Sequence, residues 1–336
     1  MQILVTGGLG YIGSHTSVEL ISKGFDVVIV DDLSNSKLNV FDKIKKITGK
    51  NPNLEIKDLK NKSEVKKLFS DYRFDGIIHF AAHKSVNESV NFPEKYYKNN
   101  IGSLENILEN IDEKMHFIFS SSCTVYGQAD KMPIKEDFPI KKSESPYGET
   151  KQICESILKK FCDNNPNFNN ITLRYFNPIG AHSSGLIGEL PLGKPENLVP
   201  FLTQTAIGKR DQLIVFGDDY NTPDGTCIRD YIHIEDLADV HVSCLEYSIQ
   251  KKNKKNYEFY NVGTGEGLSV LELINLFEKV NNVKVNYKIG KRRKGDVIIA
   301  FADVSKIKQN IGWACKHSVD DALKSSWFWE KNLRDE

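Results

Sequence analysis

The chain carries no excess charge of either sign: 45 basic residues balance 45 acidic ones. Without a basic surplus nothing draws it to nucleic acid or to an anionic membrane surface. The lysine clusters at Lys251–Lys255 and Lys291–Lys294 are short and read as solvated loops or helix ends. There is no apolar run of membrane-spanning length. The strand-like Gln2–Thr6 starts right after Met1, which leaves no room for a signal peptide. There is no Cys-x-x-Cys pair either. The six cysteines (Cys123, Cys154, Cys162, Cys227, Cys244, Cys315) are scattered, as expected of reduced thiols in a cytoplasmic chain. The glycosylation tripeptides at Asn61, Asn87 and Asn170 therefore have no secretory route to give them meaning. No internal repeat is visible.

What is present is a rhythm. Short β-branched runs at Ile3–Thr6, Asp26–Asp31, Leu54–Lys57, Asp75–Phe80, Met115–Ser120 and Ile171–Tyr175 alternate with helical patterns near 11–23, 37–48, 61–72, 92–111 and 146–163. Apolar strands separated by helices predict a parallel sheet covered on both faces. After about residue 177 the rhythm breaks into Gly/Pro-rich stretches such as Gly185–Pro200, with helices resuming at 235–249, 269–281 and 319–332. The expected architecture is α/β. A Rossmann-like doubly wound sheet spans 1–176, with some later segments returning to it, and a smaller α/β substrate domain spans 177–336.

The segment from Thr6 to Gly13, Thr-Gly-Gly-Leu-Gly-Tyr-Ile-Gly, lies between the first strand and the first helix. Gly7, Gly10 and Gly13 suit a tight turn and close approach of a pyrophosphate, which the helix N-terminus attracts. Asp31 and Asp32 follow about twenty residues on, at the end of the second strand, where a carboxylate binds a ribose diol and repels a 2′-phosphate. That favours NAD over NADP. Asp58 after the third strand is placed to meet the adenine. Phe80, Ala81 and Lys84 after the fourth are placed on the nicotinamide side. The spacing of His79 and His83 spans a strand end, with no acid or cysteine beside it, so no metal is expected.

Tyr-x-x-x-Lys occurs three times, at Tyr147/Lys151, Tyr247/Lys251 and Tyr287/Lys291. Only the first opens a helix, after Ser145-Pro146, where proline is favoured. At i and i+4 the phenol and the ammonium share a helical face. The cation favours a phenolate that can take a hydroxyl proton while the adjacent C–H gives up hydride. Ser122, closing the fifth strand, could hold the reacting oxygen.

These features resemble the extended short-chain dehydrogenase/reductase family, and within it the UDP-glucose (UDP-galactose) 4-epimerase branch, nearly end to end. The resemblance rests on Val5–His15, Phe119–Tyr126, Ser145–Gly148, Leu173–Pro178, Asp224–Thr226, Arg229–His233 and Arg293–Asp296. It implies an isomerase with bound NAD, a homodimer, and no net redox change. Tyr147 would be the acid/base, Ser122 and Thr124 the hydroxyl positioners, and Lys151 the pKa tuner and nicotinamide-ribose contact. Tyr11, Ile12, Leu59, Asn99 and Phe176 would also touch the cofactor. Asn177, Arg229 and Arg293 would meet the pyrophosphate. Asn197, Leu198, Ile214, Phe216 and Tyr231 would line the nucleotide side, with Asp296 on the uridine ribose.

Two departures narrow the reading. Related 4,6-dehydratases carry Asp-Glu after the active-site Thr, whereas Val125-Tyr126 follows Thr124 here, so water elimination lacks its acids. Ala300 stands where hexose-restricted relatives carry a bulky Tyr, which opens UDP-GlcNAc/UDP-GalNAc as further substrates unless Phe301 or a shifted loop fills the gap. Other readings stay open: an epimerase of another nucleotide sugar such as UDP-glucuronate, a net dehydrogenase, or a non-catalytic nucleotide sensor.

Overall fold

The computed structural model describes residues 1–293 and 296–335. Two compact units alternate along the chain. The first comprises Met1–Gly127, Pro139–Arg174 and Ala238–Tyr260, the second Gln128–Phe138, Tyr175–Leu237 and Asn261–Glu336.

In the first unit, β1 (Gln2–Thr6), β2 (Asp26–Asp31), β3 (Asn53–Ile56), β4 (Gly76–His79), β5 (His116–Ser122), β6 (Asn169–Tyr175) and the strand Tyr257–Val262 form one sheet. Its order is Tyr257–Val262, β6, β5, β4, β1, β2, β3. β1 runs parallel to β2 and β4, β2 to β3, and β4 to β5. The chain winds outward from β1 in both directions, the Rossmann-like doubly wound arrangement. Ligands sit at the C-terminal strand ends beside such a reversal point. Leu4, Val28, Val30, Ile77, Phe117 and Phe119 pack in one core with Leu104, Leu158 and Phe168. Each such burial contributes about 1.5–3 kcal/mol. Helices α1 (Tyr11–Ser22), α2 (Asn39–Thr48) and α3 (Lys62–Asp71) connect the first strands.

The single helix expected over 92–111 is instead a series. Val86–Asn91 is helical, Phe92 leaves the helical region (φ −133°, ψ 61°), and Pro93–Tyr96 resumes. Proline clashes with a helical residue before it, which explains the break. A π-helical turn, Tyr97–Ile101, then leads into Gly102–Leu108.

In the second unit, Asn177–Ile179 pairs in parallel with Tyr231–His233, and Leu213–Phe216 with Tyr287–Gly290. Ile228–Arg229 lies between Leu268–Ser269, antiparallel, and Ile299–Ala300, parallel. Ile179, Val199, Leu202, Val215, Leu273 and Phe277 form the core. Tyr231 packs in that core and is 4% exposed, two residues beyond Arg229. The helix Leu198–Ala206 was not expected in a Gly/Pro-rich stretch. It starts there because Pro200 falls in its first turn, where no N–H is missed. Among the described residues no helix is long and apolar enough to cross a membrane.

Candidate active site

The glycine loop joins β1 to α1 with four different local requirements. Gly7 has φ +64°, and a Cβ there would lie 2.9 Å from the Ala81 nitrogen. A Cβ on Gly8 would meet Ile29 at 2.8 Å, and one on Gly13 would meet the Gly7 carbonyl at 2.2 Å. Gly10 differs. It caps α1 at φ −70°, and a Cβ there would touch only the Gly7 oxygen, at 3.2 Å. That contact is tight but much less severe than those at Gly7, Gly8 and Gly13, so packing demands glycine least at this point. The helix end has no side-chain cap and no acid in its first turn, so no carboxylate of the helix offsets the positive end of its dipole. These residues fit a dinucleotide pyrophosphate.

Asp31 closes β2, 7% exposed. Its carboxylate accepts from Leu9 N at 3.0 Å, Leu33 N at 3.0 Å and Ser36 Oγ at 2.7 Å. Burial pushes its pKa up, against those hydrogen bonds. Asp32 is exposed and accepts from Ser34. Asp58 pairs with Lys60 at 3.1 Å, and Lys60 Nζ reaches Asn99 Oδ1 at 3.2 Å. Asn99 sits on the π turn, a feature common at functional sites and invisible to helical periodicity. Leu59 is buried and its carbonyl accepts from Asn106 Nδ2 at 2.8 Å. Phe80 packs on His241 with ring centroids 4.7 Å apart, and Lys84 Nζ lies 5.9 Å from the Tyr11 ring centre.

The helix Pro146–Asn164 carries Tyr147 and Lys151 on its buried side, 7% and 3% exposed. Ser145 caps it by accepting from Gly148 N at 3.2 Å. Lys151 Nζ donates to the Ser120 carbonyl at 2.7 Å and lies 6.0 Å from the Tyr147 ring centre. Burial pulls the Lys151 pKa down to about 8, opposed by Cys154 and Glu155. Ser122 Oγ accepts from Thr124 N at 3.2 Å, while Thr124 Oγ1 is buried with no hydrogen-bond partner. A buried hydroxyl left unsatisfied is costly, so this one has hydrogen-bonding capacity to spare. The other two Tyr-x-x-x-Lys spacings are not helical pairs. Tyr247 is on Ile234–Ile249 but Lys251 lies past its end at φ +55°, and Tyr287 is in a strand. His79 Nδ1 is 2.8 Å from Thr6 Oγ1, and burial, with Lys151 nearby, brings its pKa to about 3, so the ring is neutral.

In the second unit, Arg293 grips Asp296 through Nε at 3.0 Å and Nη2 at 2.6 Å, and its guanidinium lies 5.4 Å from the ring centre of Phe216. Phe216 is 42% exposed and Ile214, on the same face of its strand, 36%. Lys294 and Gly295, inside the Arg293–Asp296 motif, lie outside the described residues. Arg229 Nη1 donates to the Ile228 carbonyl at 2.9 Å, and Arg229 pairs in register with Ala300, itself 6% exposed. Asn177 N donates to the Asp230 carbonyl at 3.0 Å. Phe176 is buried, and the exposed Asn197 precedes the helix at Leu198 and donates to Glu189 Oε1 at 2.7 Å.

Sequence reasoning missed Asp230. Its buried carboxylate accepts from Thr264 N at 2.8 Å, Thr264 Oγ1 at 2.7 Å, Gly265 N at 3.1 Å and Ala302 N at 3.1 Å, fixing the chain beside Arg229. An acid directly between Arg229 and a core tyrosine was the available signal. Among the described residues His233, Glu235 and His317 have metal-like proximity. However, His233 Nδ1 accepts from Glu235 N at 3.0 Å and Nε2 faces Ser325 Oγ at 3.2 Å, which leaves that ring no lone pair for a metal.

The family model described as GDP-mannose 4,6 dehydratase matches residues 4–326. A UDP-glucose 4-epimerase of Dictyostelium discoideum is 47% identical over 98% of this chain and 95% of its own. A UDP-glucose-4-epimerase structure from Stenotrophomonas maltophila, with bound NAD and formylated UDP-arabinopyranose, superposes with a TM-score of 0.95. It is 42% identical and covers 100% of this chain and 99% of that one. The UDP-Glc/GlcNAc 4-epimerase of Campylobacter jejuni superposes at 0.83, with 36% identity over 98% of this chain and 99% of its own.

Proposed function

Because the chain belongs to the extended short-chain dehydrogenase/reductase family, in its UDP-glucose 4-epimerase branch, we infer that it interconverts UDP-galactose and UDP-glucose. The observation that carries the reading is the buried Tyr147–Lys151 pair, tied to the strand that ends in Ser122. Bound NAD supplies a reversible hydride acceptor, so oxidation at C4 and its reversal on the opposite face leave no net redox change.

The protein's own residues handle protons and position. Tyr147 Oη takes the C4 hydroxyl proton and later returns one. The Lys151 ammonium favours the phenolate by its charge. Ser122 Oγ and the unpaired Thr124 Oγ1 hold the reacting oxygen. The glycine loop with Tyr11 and Ile12, the acids Asp31, Asp32 and Asp58, and Leu59, Phe80, Ala81, Lys84, Asn99 and Phe176 hold the cofactor. Asn177, Arg229 and Arg293 hold the diphosphate, Arg by fork-like donation. Asn197, Leu198, Ile214, Phe216 and Tyr231 meet the nucleotide, with Asp296 on its ribose. Val125 and Tyr126, where a dehydratase needs acids, favour epimerisation over loss of water.

Ala300 supports a wider substrate range that includes UDP-GlcNAc, as the name of the Campylobacter jejuni relative states for that protein. A homodimer and a cytoplasmic location complete the proposal. The dimer would pair through the helices near 92–111 and 146–163; exposed Val90 and Phe92, next to the first of them, favour it, and light scattering on the purified protein tests it. The deciding assay offers UDP-galactose and UDP-GlcNAc side by side and quantifies products. UDP-glucose should form without NADH accumulating, and NAD should be released on denaturation. No UDP-glucose from UDP-galactose would overturn the reading.

A further inference from the structure

One turn beyond Lys151 on the same helix, Glu155 pairs with Arg174 of β6, and the chemistry above does not use that pair. Glu155 and Arg174 are 4% and 3% exposed. Arg174 donates through Nε to both carboxylate oxygens, at 3.0 and 3.2 Å, and through Nη2 to Oε2 at 2.6 Å. Ser121 Oγ donates to Glu155 Oε1 at 2.6 Å, and Arg174 Nη1 donates to Tyr126 Oη at 2.9 Å. The guanidinium lies between two rings, 4.9 Å from the centre of Tyr126 and 4.5 Å from that of Phe259.

A buried ion pair seldom stabilises a fold more than apolar residues of the same volume would. Its partners point to a different role. Ser121 immediately precedes Ser122 at the end of β5, and Tyr126 closes the short turn Cys123–Tyr126 that carries Thr124. Glu155 follows Lys151 by one helical turn and Tyr147 by two. The network thus joins the helix bearing the acid/base and its lysine to both segments bearing the hydroxyls.

We propose that Glu155 and Arg174 are positioning residues for the epimerisation, fixing Ser122 and Thr124 against Tyr147 and Lys151 and balancing the Lys151 charge. The proposal rests on the epimerase reading. Facing Lys151 are Glu155 and the Cys154 thiol from its own helix, the neutral His79 from β4 and the Ser120 carbonyl from β5, while Arg174 on β6 acts through Glu155. Burial lowers the Lys151 proton affinity and the Glu155 charge opposes that, so removing the charge lets Lys151 deprotonate at lower pH.

The test uses the full-length holoenzyme with UDP-galactose. Ser121→Ala deletes one small hydroxyl, and Glu155→Gln deletes the charge while keeping the shape. Each should lower kcat about tenfold with KM within about twofold, the signature of lost organisation and not of lost binding. In Glu155→Gln the alkaline limb of the kcat–pH profile should also move to lower pH. If Glu155→Gln does not fold, the double variant E155M/R174M replaces it, since apolar substitution of both partners preserves packing. Wild-type kcat in Ser121→Ala, together with an unmoved alkaline limb in the charge variant, overturns the proposal. Failure of the wild-type enzyme itself to make UDP-glucose would instead sink the epimerase reading.

Discussion

Lys151 Nζ and the Ser120 carbonyl, 2.7 Å apart, tie the ammonium to the strand that ends in Ser122. The tie holds a charge where burial disfavours it, with a folded pKa of about 8 against an ordinary 10.5. Below pH 8 the lysine is protonated in both folded and unfolded chains, and the burial cost is fully present. Between about 8 and 10.5 the folded chain loses its proton first, and the cost is relieved as pH rises.

Lys151→Met should therefore raise the unfolding free energy of cofactor-stripped protein at pH 7 by up to about 3 kcal/mol. Epimerisation should fall at the same time by about 10²-fold or more. Urea unfolding at pH 7 and pH 10 checks this, because the gain over wild type should shrink at the higher pH. An equal gain at both would show that the lysine is not the source.

Tyr147→Phe keeps the ring and removes the proton carrier. Its kcat should fall by about 10²–10⁴-fold with little change in KM. Acid release of NAD from the purified variant should match wild type, separating lost chemistry from lost cofactor. Wild-type turnover would remove Tyr147 from the mechanism.

Gly13→Ala and Gly10→Ala should fail in different ways. At Gly13 the methyl would lie 2.2 Å from a backbone oxygen, so the loop must shift, at a cost of about 1–3 kcal/mol in stability. At Gly10 the contact is 3.2 Å and φ is ordinary, so the fold should hold while NAD occupancy drops. Melting curves beside NAD content per chain distinguish the two. Full NAD content in Gly10→Ala would contradict a pyrophosphate passing there.

Ala300→Tyr tests the width of the sugar site. UDP-GlcNAc turnover should fall at least about tenfold, with UDP-galactose turnover changed much less. Equal losses for both would point to disruption of the strand that pairs with Arg229.

Local features were legible in the sequence because their causes are local. β2 has the expected bounds, Asp26–Asp31, and the proline-led helix starts at Pro146. The Gly10 opening follows from a strand, a turn and a helix in succession. The π turn at Asn99 is a local shift of helical pitch that apolar spacing does not show, while the Asp230 donor set and the Glu155–Arg174 pair have non-local causes. Both of the latter depend on which distant backbone or side chain comes within hydrogen-bond distance, and periodicity does not encode that. Arg174 did carry a hint, a charge at a buried position of the apolar strand Asn169–Tyr175.

The chain passes between its two units five times, after residues 127, 138, 174, 237 and 260. No single recombination breakpoint can therefore exchange one unit for that of a relative without mixing segments of both. A fragment ending at residue 174 would also lose the sheet strand Tyr257–Val262. A breakpoint library should therefore give many unfolded chimeras and few altered specificities.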